Sequence, residues 1–166
     1  MRSLVRLALL VITISFSFAT LAKDVLRVGV YPDYPPLAYH DKEGLTGIDV
    51  AAAEVMGQQL DRKVKFVEMD FAKLVPALEA GEIDIIMSGM TITPERSQQV
   101  SFSNPYLDAG QMAIIRYADA GRLSFRGALF RPGTRVAVQQ NTTGEEFAKQ
   151  TLKNASVTRF DSINEG

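Results

Sequence analysis

The sequence predicts an α/β protein built on parallel sheet, and three observations carry that reading. Short β-branched runs alternate with segments whose apolar residues recur at helical spacing, the grammar of β-α-β units. Glycines and prolines punctuate the joints, at Pro32, Pro35, Pro36, Gly44, Gly47, Gly81 and Gly89. After a first β-α-β-α-β unit the same grammar starts again in the second half.

Residues 25–31 are short and rich in valine and read as the first strand. Pro32 and the Pro35-Pro36 pair end it, because proline cannot donate to a ladder. Gly44 and Gly47 flank a turn. Ile48, Ala52, Val55, Met56 and Leu60 then fall at helical spacing and predict a buried stripe, with Asp49 near the positive end of the dipole. Residues 63–69 alternate polar and apolar as a second strand. Phe71, Leu74, Val75 and Leu78 mark a second helix. Pro76 is tolerable there only near the first turn, and Gly81 ends it. Residues 83–87 form a third strand, which implies right-handed crossovers. Downstream, residues 100–103 predict a short strand and residues 110–117 a longer one. Arg135 to Gln139 is a further strand. Thr142 and Glu145 have capping-box spacing for a helix carrying Phe147, Ala148, Thr151 and Leu152. Ser156 to Phe160 is the last strand.

The N-terminus is an address rather than part of the fold. Arg2 and Arg6 precede a predominantly apolar run over residues 7–18. Small residues follow, with Thr20 and Ala22 suited to a cleavage site before Lys23. Residues 1–22 are therefore expected to be a secretory signal peptide, too short for a membrane span. The 166 residues include no cysteine, so neither a disulfide framework nor a lipid-attachment cysteine is available. Removing residues 1–22 takes Arg2 and Arg6 from the 18 Lys and Arg. That leaves 16 against 19 Asp and Glu, a net charge of about −3 on 144 residues. Such a balance gives no basic stripe for nucleic acid. The mature protein is expected to be exported and periplasmic.

The most telling stretch is residues 84–96. The third strand breaks at Ser88 and Gly89, hydroxyls follow at Thr91 and Thr93, and Pro94-Glu95-Arg96 suits a first helical turn. Ligands of open α/β sheets bind just beyond the carboxyl ends of strands. A loop there with free N–H groups, two hydroxyls and one guanidinium fork suits a small carboxylate. It also fits a plain polar turn carrying a surface arginine.

These segments together resemble the extracellular solute-binding proteins of family 3, the amino-acid receptors of bacterial ABC importers. The resemblance is carried by Leu26-Arg27-Val28-Gly29, Tyr34-Pro35-Pro36-Leu37, Gly47-Ile48-Asp49-Val50, Leu74 to Leu78, Gly81 to Asp84, the Ser88 to Arg96 loop, and Phe102 to Tyr106. It implies two α/β lobes of the type II periplasmic-binding-protein kind, closing on a ligand between them. Residues 23–109 would be the N-terminal part of lobe 1, and residues 110–166 a partial lobe 2 after a hinge strand.

The same resemblance implies site roles. Arg96 matches the arginine that takes the ligand's α-carboxylate, and Thr91 the hydroxyl and N–H beside it. Gly89 matches the carbonyl that receives the α-ammonium. Tyr34 and Phe71 match two aromatics that enclose the ligand side chain, although both also fit as core residues. Thr142 and Thr143 match a second-lobe turn whose N–H groups close on the carboxylate at a helix N-terminus. The pattern departs at Ala51, where relatives carry a second acid, at Tyr31, where many carry Asp, and at Asn141, a frequent glycine. The Gly-x-x-Asp segment that pairs with the α-ammonium, and the return to lobe 1, would lie beyond Gly166. The chain is thus expected to be the front portion of a longer protein.

Other chemistry finds little support. His40 stands in a polar loop and suits a solvated side chain. One histidine and no cysteine make a transition-metal site a poor fit, and no cofactor is expected. Ser88, Ser101 and Ser103 have no histidine at an informative spacing. The expectation is a non-enzymatic, monomeric receptor that captures a polar L-amino acid and hands it to a membrane permease. A periplasmic enzyme on the same fold, such as a cyclohexadienyl dehydratase, and a sensory or cell-wall-enzyme module are the alternatives.

Overall fold

Leu26, Val28 and Val30 recur at every second position of β1 (Val25–Val30), so they fall on one face and Arg27 and Gly29 on the other. In the computed structural model, which describes residues 25–165, this strand is the centre of a parallel sheet. The expected signal peptide over residues 1–22 lies outside the described residues. The strand order is β5-β1-β6, with β5 (Lys63–Glu68) and β6 (Ile85–Ile86) on either side of β1. Val28 stands opposite both Phe66 and Ile85. The Asp84 and Met87 N–H groups donate to the Arg27 and Gly29 carbonyls, so pairing covers most of the expected third strand.

Both faces of β1 are covered. On one, Leu26, Val28, Val30, Ala38, Val50 and Ala53 form a core with Met56, Val64 and Met87 packed against it. On the other, Tyr31, Phe71 and Leu74 pack with Met69, Ile86 and Met90. Full burial of a side chain such as Leu74 contributes about 1.5–3 kcal/mol. The helix α1 (Ile48–Gln59) connects β1 to β5, and α2 (Leu74–Glu79) carries the chain back past β1 to β6. A one-turn 3-10 segment, Phe71–Lys73, leads into α2, which places Pro76 in the first turn as expected. Because the winding reverses at β1, a crevice opens beyond the carboxyl ends of β1 and β6, the switch point where such sheets bind ligands.

Apart from Met56, which packs on the core, the buried face of α1 is not the expected one. Ile48, Val55 and Leu60 are 53%, 55% and 53% exposed, and Ala52 is exposed too. Asp49, Val50, Ala53 and Gly57 are buried instead. The helix entry sets this rotation, since Ile48 N–H donates to Pro36 O and Asp49 N–H to Leu37 O. Small residues at 53 and 57 then let the helix approach β5 closely.

A small antiparallel sheet of β2 (Asp33–Tyr34), β3 (Ala38–His40) and β4 (Leu45–Thr46) flanks α1. His40, exposed as expected, sits 2.8 Å from Glu68 Oε2. After α3 (Pro94–Ser97) the two strands expected at residues 100–103 and 110–117 are not formed. A strand needs a neighbour to accept and donate, and none of the described residues lies alongside as a ladder. Helical turns follow over Tyr117–Asp119, α4 (Ala120–Leu123) and Arg126–Phe130. The second unit forms as expected from β7 (Arg135–Gln139), α5 (Thr143–Thr151) and β8 (Ser156–Phe160). Its strands are parallel, with Arg135 opposite Ser156 and Gln139 opposite Phe160. Ala148 and Leu152 are buried beneath it, whereas Phe147 is exposed.

Candidate functional site

The loop after β6 is anchored at its start. Buried Ser88 accepts the Tyr31 N–H at 2.9 Å, which fastens it to the end of β1. Gly89 follows in the left-handed region, at φ +56°, and its N–H donates to Asp49 Oδ2 at 2.7 Å. A Cβ at this position would run into the Leu37 and Tyr34 side chains, so backbone and space both favour glycine. At the far end Thr93 caps α3, accepting the Arg96 N–H at 3.2 Å, with Pro94 as the first helical residue.

Arg96 is thereby set across the crevice. Its Nη1 donates to the Thr91 carbonyl and its Nη2 to the Asn141 carbonyl, both at 2.8 Å. The guanidinium lies 5.5 Å from the Phe71 ring centroid, a cation–π distance. Burial lowers its pKa from the ordinary value, with Glu146 and Glu95 opposing that shift. Phe71 is itself held edge-on by Tyr31, with centroids 6.3 Å apart at 80°.

The turn from β7 into α5 supplies the other side. Asn141 adopts φ +58°, and Thr142 caps the helix by accepting the Glu145 N–H at 3.2 Å. Glu145 reaches back to the Asn141 N–H at 2.7 Å, one residue before the cap that a standard capping box would reach. The N–H groups that open a helix have no intrahelical acceptor, so this end favours an anion. Thr143 Oγ1 meets Gln111 Nε2 at 2.8 Å. Burial pushes the Glu145 carboxyl up, but Lys149, the Asn141 N–H and Arg159 outweigh it and hold the group below its ordinary value.

Of the residues singled out from sequence, Phe71, Arg96, Thr142 and Thr143 line one cavity of about 410 Å³ together with Met90 and Asn141. Thr91 joins them through its carbonyl bond to Arg96. Tyr34 and Gly89 adjoin each other and are absent from that lining. Several participants were given no site role from sequence. Tyr31 supports Phe71, and its hydroxyl lies 3.2 Å from Ser162 Oγ. Asp49, read from sequence as a helix-dipole acid within the Gly47 to Val50 motif and given no site role, is buried and holds Gly89. Glu145 carried a capping-box signal but no signal for its pairing with Arg159.

A switch-point crevice in one α/β unit, faced by the opening turn of a helix from a second, defines part of a two-lobed periplasmic-binding-protein fold of type II. The profile of the bacterial extracellular solute-binding proteins, family 3, matches residues 26–162, and the chain belongs to that family. It is 34% identical over 128 residues to the arginine-binding extracellular protein ArtP of Bacillus subtilis, covering 77% of this chain and 49% of that protein. It is 33% identical over 154 residues to the cyclohexadienyl dehydratase of Pseudomonas aeruginosa, covering 88% of this chain and 58% of the enzyme. Among solved structures, the ancestral amino acid-binding protein AncCDT-1, a precursor of cyclohexadienyl dehydratase, superposes with a TM-score of 0.81 at 41% identity. The match covers 86% of this chain and 63% of that one. The Gly52Ala mutant of arginine-bound ArgBP from T. maritima gives a TM-score of 0.79 at 38% identity, covering 86% and 66%. The chain thus spans about half to two-thirds of the relatives it matches.

Proposed function

We propose that the protein captures a free, polar L-α-amino acid in this crevice and, as a periplasmic monomer, delivers it to the permease of an ABC importer. The observation that carries the reading is the position of Arg96. Its fork is stacked on Phe71 and spans from the strand-end loop to the turn before α5. An α-carboxylate arriving there replaces two neutral carbonyl acceptors with a charged, bidentate one, a roughly twofold stronger partner per bond. Thr91 and the opening N–H groups at Thr142 and Thr143 complete the anion site. The Gly89 carbonyl takes the α-ammonium, and Tyr34 and Phe71 offer ring faces to the side chain. The binding-protein names of the relatives at 34% and 41% identity support this class of ligand.

An enzyme reading has support from the dehydratase relative at 33% identity. A general acid working near neutral pH needs a raised carboxyl pKa. Glu145, the buried acid lining the cavity, is shifted downward by its cationic partners, which favours binding over catalysis. The test is a melting screen of the full-length protein against the L-amino acids, neutral sugars, inorganic anions and an arogenate-like acid. An amino acid should raise the midpoint while sugars and inorganic anions do not. A shift by the arogenate-like acid or a sugar alone reverses the reading.

A further inference from the structure

We infer that Asp49 is a positioning residue for this site, holding the Gly89 amide and the Tyr106 hydroxyl and so fixing the chain on both sides of the arginine-bearing helix α3. The inference rests on the amino-acid reading above. Asp49 opens α1 and is fully buried, yet its carboxylate does not cap its own helix. The first N–H groups of α1 go instead to the Pro36 and Leu37 carbonyls. That leaves the carboxylate oxygens for partners outside the helix. Oδ2 accepts the Gly89 N–H at 2.7 Å, and Oδ1 accepts the Tyr106 hydroxyl at 2.9 Å.

The two donors bracket α3 in sequence. Gly89 begins the loop that carries Thr91, and Tyr106 lies in the segment after α3 that has no ladder to hold it. The Tyr106 ring is largely exposed, so apolar burial does little to hold it; its hydroxyl is the part that reaches inward. Burial and the Asp49 bond push the phenol above its ordinary pKa, which keeps the donating proton in place. A buried carboxylate left without donors is costly. Movement of either segment away from Asp49 is therefore opposed, and Thr91 and Arg96 are held at a fixed place between two anchors.

The experiment compares full-length wild type, Asp49→Asn, Tyr106→Phe and a core control, Val28→Ala, with the twenty common L-amino acids as calorimetric probes. Native-state hydrogen exchange is followed in parallel. Asp49→Asn and Tyr106→Phe should each weaken binding of the best amino acid by about tenfold, the scale of one hydrogen bond to a charged group. They should also speed exchange over residues 89–96 selectively, leaving β1 as in wild type. Val28→Ala should lower the melting midpoint without moving the affinity. Wild-type affinity in both variants, or exchange that rises evenly across loop and β1, overturns the inference. If Asp49→Asn does not fold, Tyr106→Phe alone decides by the same readouts. If wild type binds no amino acid, the functional reading fails, and the exchange contrast by itself decides the role of Asp49.

Discussion

Arg96 Nη2 donates to the Asn141 carbonyl at 2.8 Å, so one side chain joins the loop after β6 to the turn before α5. With Nη1 on the Thr91 carbonyl, the donors that would grip a carboxylate are held by neutral backbone acceptors. The fork is thus kept aimed, and the gain on the proposed carboxylate binding would be the exchange of neutral for charged acceptors.

Removing this fork should be costly. Arg96→Ala is expected to weaken amino-acid binding by about 2–5 kcal/mol, because the ligand carboxylate stays desolvated without its partner. That is at least about thirtyfold in affinity. Arg96→Lys should also weaken binding, since a point charge cannot bridge both sides as the planar group does. Calorimetry on the full-length protein checks both, and wild-type affinity in Arg96→Ala removes Arg96 from the site.

Phe71 supports Arg96 from below and fills the core with Tyr31 and Leu74. Phe71→Ala should cost about 3–5 kcal/mol of stability by opening a cavity. Phe71→Leu keeps most of the volume and loses the ring face. It should therefore retain most of the stability yet bind more weakly, a split that urea unfolding and calorimetry can read separately.

Much of this was legible in the sequence, and the failures share one physical cause. Strands β1, β5, β7 and β8, the cap at Thr142, the helical turn at Pro94 and the Arg96 loop all follow from local pattern. The face of α1 does not, because its rotation is set by bonds from Ile48 and Asp49 to Pro36 and Leu37, outside the helix. Residues 110–117 have strand composition, but a strand exists only with a partner. Asp49 is the sharpest case. From sequence it is a first-turn acid, and only the fold brings Gly89 and Tyr106 to its carboxylate.

Glu145 gives a pH prediction. Its carboxylate takes the Asn141 N–H at 2.7 Å and pairs with Lys149 at 2.6 Å and Arg159 at 2.5 Å. Against the penalty of burial, these hold its folded pKa below the ordinary 4.5. A lowered carboxyl stabilises fully above its unfolded value, and that contribution is lost as pH falls through the folded one. The urea midpoint should therefore drop on acidification below about pH 4.5 more steeply in wild type than in Glu145→Gln. Glu145→Gln should be less stable at pH 7, since Lys149 and Arg159 lose a buried partner. Parallel pH profiles for the two proteins would show that this ion cluster contributes nothing.

Gly57 tests the packing of α1. An alanine in mid-helix usually gains about 1 kcal/mol over glycine. Here the added Cβ would run into Val64 Cγ2 and come within 2.9 Å of the Arg62 carbonyl. Overpacking against backbone costs about 1–3 kcal/mol, so the clash should win. Gly57→Ala is expected to lower the unfolding midpoint, and an unchanged or raised midpoint would mean that α1 can shift off β5 freely.

The last prediction concerns residues 23–166 expressed by themselves. Met112, Ile114 and Tyr117 are 88%, 91% and 97% exposed, on a stretch whose backbone has no ladder among the described residues. The second unit rests on a two-stranded sheet, which is marginal alone even with a helix packed on it. Ordering each residue costs about 1–2 kcal/mol, and an apolar stretch left in water does not offset its share. Apolar side chains beside unpaired backbone are also a template for association. This polypeptide should therefore bind an apolar dye, elute as expanded or associated species, and show negligible amino-acid affinity. A cooperative melt of a monomer that binds an amino acid at micromolar concentration would show that the crevice around Arg96 assembles a working receptor without further chain.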